Sequence, residues 1–199
     1  MTQVMRLAAA AFVLLFIAGT ASAQDKDWAS GALIMGDPDA PVTMVEYASM
    51  TCPHCAAFHT GVLKDIKEKY IDTGKVKLEF REFPFDALGL RAAMLARCAG
   101  PNRVFGMLDV LFKQQLVWSR SQNPMAELGR LGKLGGVSQS RFDACMQNQE
   151  LADVVLANRL EGQEKMQVES TPTFFINGDK VSGTQALEVY EKAIEKHLP

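Results

Sequence analysis

The sequence lacks a strong charge of either sign, a long hydrophobic run, and any internal repeat or low-complexity segment. Its 21 Lys and Arg residues nearly balance 23 Asp and Glu residues, which gives a formal net charge of −2. This mildly acidic balance argues against nucleic acid as a partner, because nucleic-acid-binding chains are typically basic. The N-terminal apolar run, Leu7 to Gly19, is shorter than the roughly 20 residues of an ordinary membrane span.

Residues 1–23 have the pattern of a secretory signal peptide. Arg6 precedes the apolar run, and Ala21-Ser22-Ala23 has the small residues of a cleavage site. We expect this segment to be cleaved, a retained membrane anchor being the alternative. The segment carries one Arg and no acid, so its removal moves the net charge to −3 and leaves enough chain for one domain with a substantial core. Export predicts the bacterial periplasm, where disulfides form and persist.

Cysteine is scarce, and two of the four cysteines stand in Cys52-Pro53-His54-Cys55. The motif follows an apolar, β-branched run and begins a helical pattern that extends to about Tyr70. A helix N-terminus carries unpaired N–H groups and partial positive charge, which favour a thiolate. Pro53 suits a first helical turn, and His54 adds a donor or a positive charge. We predict that Cys52 is the exposed nucleophile and Cys55 its buried partner. A plain structural disulfide is the alternative; a zinc site is disfavoured because no second ligand pair has zinc-site spacing.

Glu46 is unusual because it interrupts an otherwise apolar strand predicted over Val42–Tyr47. Continuous apolar character indicates a central strand covered on both faces. An acid buried there is costly unless it is protonated or paired. Glu46 is therefore either a proton acceptor that serves the Cys55 thiol through water or a strand-end acid in solvent.

The rest of the chain alternates strand and helix patterns. A second strand, Lys75–Phe83, has period-two alternation. Asn177-Gly178 is a strong tight-turn signal between two further strands, and Thr184 is a candidate cap for a last helix, Gln185–His197. Helices are predicted at Leu88–Ala99, Arg103–Trp118, Pro124–Gly132, Gln139–Gln147 (with Ser138 as N-cap) and Glu150–Val168.

Two motifs together resemble DsbA-type thiol–disulfide oxidoreductases of the thioredoxin superfamily. The first is Cys52-Pro53-His54-Cys55 with Glu46 six residues upstream, and the second is Ser170-Thr171-Pro172 about 120 residues later. The resemblance implies an α/β thioredoxin fold with a central mixed sheet flanked by helices. The residues themselves predict a polar arm over 24–40, docked by Trp28, Leu33 and Ile34. The other parts would be a thioredoxin-like domain over 41–87 and 168–199 and an inserted all-helical subdomain over 88–167.

The resemblance also implies a cis bond at Thr171-Pro172, since X–Pro bonds adopt cis at modest cost. The backbone of Ser170 and Thr171 would then face the cysteines and bind extended substrate by strand addition. Many DsbA-type oxidases carry valine before this proline, whereas threonine is more typical of exported isomerases. Those isomerases have a separate N-terminal dimerisation domain, which the arm over 24–40 is too short to supply.

Cys98 and Cys145 lie 47 positions apart within predicted helices. An even cysteine count in an exported chain predicts a structural disulfide between them, with two free buried cysteines as the alternative. His59 and His197 are expected to be packing or solvated residues rather than ligands.

The resulting hypothesis is an exported oxidoreductase that introduces disulfides by dithiol–disulfide exchange, with no metal and no organic cofactor. Its expected substrates are unfolded or partly folded exported proteins, and its expected reoxidant is a membrane-bound, quinone-linked thiol oxidase of the DsbB type. We expect a monomer. The alternatives are a disulfide isomerase or reductase, and a non-catalytic peptide-binding chaperone of the same fold.

Overall fold

The computed structural model describes residues 31–199. The signal-peptide prediction and Trp28 therefore lie outside the described residues. A mixed five-stranded sheet forms the centre, with strand order β1-β3-β2-β4-β5. The neighbours β2 and β3 are parallel, and the other neighbouring pairs are antiparallel. The strands are β1 Leu33–Met35, β2 Val42–Ala48, β3 Val76–Glu82, β4 Thr173–Ile176 and β5 Asp179–Ser182.

Helices flank the sheet on both faces, and six of them lie between β3 and β4 as a helical insert. This arrangement confirms the expected α/β thioredoxin fold. The helices are α1 Pro53–Thr60, α2 Val62–Ile66 with a π-helical turn Lys67–Ile71, α3 Ala87–Cys98, α4 Val104–Lys113, α5 Gln115–Ser119, α6 Pro124–Leu134, α7 Gln139–Met146, α8 Gln149–Glu164 and α9 Leu187–Glu195. None of the helices within residues 31–199 has the length and apolar character needed to cross a membrane.

The central strand β2 sets the direction of each side chain at the site. Met44 faces a core cluster that contains Phe58 and Tyr190, whereas Tyr47 packs on the opposite face against Phe83. Because alternate residues of a strand share a face, Glu46 points to the same side as Met44, which is the side covered by α1. Strand β3 alternates buried and half-buried residues along its whole length, as its period-two pattern predicted.

Several local predictions are wrong in detail. The helix predicted from Cys55 to Tyr70 is interrupted at Gly61, and the one predicted over Arg103–Trp118 is interrupted at Gln114. Thr184 does not cap the last helix, which begins at Leu187 after Ala186. The N-cap at Ser138 is confirmed by its bond from the Arg141 N–H.

The short strand β1 was not predicted. It lies in the arm and pairs with β3, which covers an edge of the sheet. Leu33 is buried there as expected, but Ile34 is 38% exposed and faces outward. Period-two alternation over three residues explains why only one of the two docks.

The insert is attached to the sheet by a buried ion pair. Arg97 on α3 binds both carboxylate oxygens of Glu82 at the end of β3, and both side chains are 1% exposed. Asn158 on α8 also donates to Glu82, at 2.6 Å. Within the insert, Cys98 on α3 and Cys145 on α7 are joined by a disulfide.

Candidate active site

The loop after β2 brings Cys52 to the start of α1. Cys52 is the N-cap with extended backbone, and Pro53 occupies the first turn, where its missing N–H has no partner to lose. Cys52 is half-buried, whereas Cys55, one turn further, is 0% exposed. Both cysteines are free thiols in the structure. The structure therefore places an accessible sulfur beside a buried one, as the motif predicted.

The two thiols have opposite electrostatic environments. The pKa of Cys52 is lowered from 9.0 to about 5, mainly by a hydrogen bond from Cys55 and further by the Thr171 side chain and the N–H groups of Cys55 and His54, against the effect of burial. The pKa of Cys55 is raised well above its ordinary value by burial first, then by its hydrogen bond to Cys52 and by the charges of Cys52 and Glu46. His54 is exposed, and its main-chain N–H is among the groups that lower the pKa of Cys52.

The loop before β4 closes the other side of the pair. The Thr171-Pro172 bond is cis, as predicted. The Cys52 thiol donates to the carbonyl oxygen of Thr171 at 3.2 Å. The Thr171 hydroxyl is buried without a hydrogen-bond partner among the described residues. Ser170 is exposed beside it. This backbone therefore lies against the reactive sulfur and also reaches solvent.

Glu46 is fully buried and is paired with a histidine. Its two carboxylate oxygens lie 3.1 and 3.0 Å from Nε2 of His59. The His59 ring stacks on Phe112 with centroids 4.1 Å apart, and its side chain is 4% exposed. The solvent-exposed alternative for Glu46 is thus excluded. The expectation for His59 was incomplete, because the ring packs but is also the partner of Glu46.

The same fold occurs in solved proteins. A family model described as Thioredoxin matches residues 29–196. The structure of α-DsbA1 from Wolbachia pipientis superposes with a TM-score of 0.79 and 34% identity, covering 84% of this chain and 90% of that one. The chain is a DsbA-like member of the thioredoxin family.

Curated relatives are named for disulfide oxidation or disulfide bond formation. A putative protein-disulfide oxidoreductase of Rickettsia conorii is 35% identical over 167 residues, which are 83% of this chain and 60% of the relative. The chain thus spans about 60% of the length of that relative. Disulfide bond formation protein D of Bacillus subtilis is 27% identical over 176 residues, with 84% of this chain and 78% of the relative covered.

Residues far along the chain brace the DsbA-like site and were missed from sequence. Gln115, on the short helix α5, donates to the carbonyls of Met50 at 2.8 Å and Cys52 at 2.9 Å. The Thr184 hydroxyl donates to the carbonyl of His54 at 2.7 Å, which explains why this side chain does not cap α9. No sequence pattern marks these contacts, because each joins residues more than sixty positions apart.

A shallow cleft of about 400 Å³ lies beside Cys52. Phe85, 50% exposed, supplies an apolar wall, while Asp86 and Glu169 place carboxylates at the rim. Thr171 forms part of the opposite wall. Within residues 31–199, no group of three or more His, Cys, Asp or Glu side chains is arranged to hold a metal ion.

Proposed function

We propose that this DsbA-like chain introduces disulfides into substrate proteins by dithiol–disulfide exchange at Cys52 and Cys55. The observation that carries the proposal is the lowered pKa of Cys52, to about 5, beside a Cys55 thiol whose pKa is raised. A stabilised Cys52 thiolate lowers the free energy of the reduced protein. Its disulfide is then a stronger oxidant, and Cys52 is a better leaving group.

The reaction starts from the oxidised pair. A substrate thiolate attacks Sγ of Cys52, the Cys52–Cys55 bond breaks, and Cys55 leaves as a thiolate that takes up a proton. A second substrate thiolate then attacks the substrate sulfur of the mixed disulfide, and Cys52 leaves as a thiolate. The substrate loses two electrons and the cysteine pair gains them. Burial of Cys55 keeps the substrate's attack directed at Cys52.

The cis-proline loop supplies the substrate site in this proposal. The hydrogen bond from Cys52 to the Thr171 carbonyl places this backbone next to the reactive sulfur, and Ser170 is exposed to solvent. An extended peptide can therefore pair with this backbone beside Cys52. Phe85 offers apolar contact across the cleft. Unfolded or partly folded proteins are the expected substrates, because only flexible chains present extended segments with accessible thiols.

Homologues of the DsbA family are extracytoplasmic, and we place this chain in the periplasm as a monomer. The reduced pair must be reoxidised after each turnover. A membrane-bound, quinone-linked thiol oxidase of the DsbB type is the proposed electron acceptor.

One observation favours a second candidate, an isomerase or reductase. The buried hydroxyl of Thr171 forms no hydrogen bond with any residue of 31–199, and threonine here is the residue that the resemblance associates with isomerases. The reduction potential of Cys52–Cys55, measured by equilibration with glutathione, separates the two. A potential well above that of the glutathione pool supports the oxidase, and one near or below it supports the reductase.

A non-catalytic chaperone of the same fold would bind peptides without using the sulfurs of Cys52 and Cys55. A Cys52→Ser variant that still rescued a strain lacking the protein would establish that reading, because the serine hydroxyl cannot form the mixed disulfide. Loss of rescue with retained folding is the result expected from the proposed oxidase.

A further inference from the structure

The buried carboxylate of Glu46 needs a route by which a proton can reach solvent. Cys55 must gain a proton when it leaves as a thiolate and lose one when the pair is reoxidised. Glu46 points to the face of β2 that α1 covers, and Cys55 lies on that helix. Both residues are 0% exposed, and the charge of Glu46 also contributes to the raised pKa of Cys55. A carboxylate enclosed in this way can exchange protons with Cys55 repeatedly only if a further group connects it to water.

His59 is placed to make that connection. Its Nε2 lies within 3.1 Å of both Glu46 oxygens, and no described residue forms a hydrogen bond with its Nδ1. His59 also lines a cavity of about 340 Å³ between α1–α2 and α4. Apolar side chains, including Leu63 and Phe105, form its walls. His59 therefore lies between the buried acid and an open space.

This cavity opens separately from the substrate cleft. Its remaining lining includes three lysines and an aspartate on the exposed surfaces of the flanking helices: Lys64, Lys67, Lys113 and Asp109. It shares no lining residue with the cleft beside Cys52. Water can thus reach His59 while a bound substrate covers the cleft.

We propose that Glu46 and His59 form a relay that carries the Cys55 proton to and from this cavity. During substrate oxidation, the Cys55 thiolate receives a proton from the Glu46 carboxyl through water. His59 returns a proton to Glu46 from Nε2, and Nδ1 takes one from water in the cavity. During reoxidation the same transfers run in reverse. No electrons move through the relay, and each step transfers one proton.

The relay rests on the proposed exchange chemistry, so the test measures a step of that chemistry. The rate at which a small dithiol reduces the oxidised protein is compared between wild type and two kinds of variant. His59→Ala removes the relay group. We expect a loss of about a hundredfold, the low end of the range for positioned proton transfer. Added imidazole should restore the rate, whereas pyrrole, which has the same ring size but no basic nitrogen, should not.

Gly106 allows a test that leaves Glu46 and His59 intact. It lies on α4 at the cavity, is exposed, and a Cβ at this position meets no atom within 4 Å. Gly106→Leu should fill the opening and slow reduction without unfolding the helix, since leucine is a better helix former than glycine. Gly106→Ala is the matched control, with the helix effect but little filling, and should react at the wild-type rate.

Each outcome decides a different point. Slow reduction in Gly106→Leu together with imidazole rescue of His59→Ala supports the relay. A Gly106→Leu variant as fast as Gly106→Ala overturns the cavity as the exit, and equal rescue by pyrrole reduces His59 to a packing role. If the wild-type disulfide itself fails to react with the dithiol, the proposed function is wrong, independently of the relay.

Discussion

The Cys52 thiol donates to the carbonyl oxygen of Thr171, while the hydroxyl of the same threonine is buried and has no partner in the part of the chain that the structure describes. The carbonyl and the hydroxyl of Thr171 suit different protonation states of Cys52. A thiol can donate to the carbonyl, but a thiolate cannot, and it can instead accept a hydrogen bond from the hydroxyl. The Thr171 side chain is accordingly among the causes that lower the pKa of Cys52. Thr171 can therefore bind either form of the Cys52 sulfur: its carbonyl accepts a hydrogen bond from the thiol, and its hydroxyl can donate one to the thiolate.

Thr171→Val should raise the pKa of Cys52 above its value of about 5, because valine has no hydroxyl to stabilise the thiolate. The reduced form would be less favoured, so the reduction potential of the pair should fall. Thiolate absorbance in the ultraviolet, followed against pH, measures the pKa. Thr171→Ser keeps the hydroxyl and should remain near wild type; a valine variant with an unchanged titration midpoint would show that the hydroxyl has no effect.

The lowered pKa of Cys52 also predicts how stability depends on pH. Its folded-state pKa of about 5 lies below the ordinary value of 9.0, so ionisation stabilises the reduced fold fully above 9.0 and the contribution disappears as the pH falls through about 5. Reduced wild type should therefore lose its advantage over reduced Cys52→Ser as the solution is acidified. Chemical unfolding at several pH values measures the difference, and a constant difference would contradict the assignment.

Local motifs carried most of the prediction, and long-range contacts account for what was missed. The motif Cys52-Pro53-His54-Cys55 depends on a strand end and a helix start, which neighbouring residues determine. Gln115 reaches the Cys52 carbonyl from 63 positions away, and the chain order alone does not place it there. His59 is an intermediate case: it lies four residues after Cys55, on the same side of a helix, but its pairing with Glu46 depends on how α1 packs on β2.

Removal of the Cys98–Cys145 disulfide should destabilise the fold but leave dithiol–disulfide exchange at Cys52–Cys55 unchanged. The bond closes a loop across 47 positions between α3 and α7. In the chain-entropy model, such a closure stabilises the folded state by about 4 kcal/mol. We expect the Cys98→Ala/Cys145→Ala variant to show a loss of this order in free energy of unfolding. An unchanged free energy of unfolding would mean that closing this loop does not restrict the unfolded chain enough to stabilise the fold.

The buried pair between Arg97 and Glu82 should be costly to break from one side. Arg97→Met leaves the Glu82 carboxylate enclosed, with the Asn158 amide as its remaining hydrogen-bond partner among the described residues. Removal of one partner of a buried pair typically costs about 3–5 kcal/mol. The double variant Arg97→Met/Glu82→Leu removes both charges and should recover much of the loss. Denaturant unfolding measures each free energy. A double variant as unstable as the single one would show that packing, not the stranded charge, determines the cost.

The acidic rim of the cleft predicts a preference among substrates. Asp86 and Glu169 lie near Cys52, whereas Phe85 offers the apolar contact, so a peptide with lysine or arginine near its cysteine should react faster than one with aspartate or glutamate there. Because both acids are exposed, the preference should weaken as salt is added.

Glu169→Lys is a better test of this preference than a change at Asp86, since Asp86 also caps α3 and accepts a hydrogen bond from Thr51. The measurement is the rate of mixed-disulfide formation with matched basic and acidic peptides, and a neutral peptide serves as control. In Glu169→Lys, the basic peptide should lose its advantage or become the slower of the two. If the order is the same in Glu169→Lys and wild type, the rim carboxylate does not select substrates, and the apolar wall at Phe85 is the next residue to exchange.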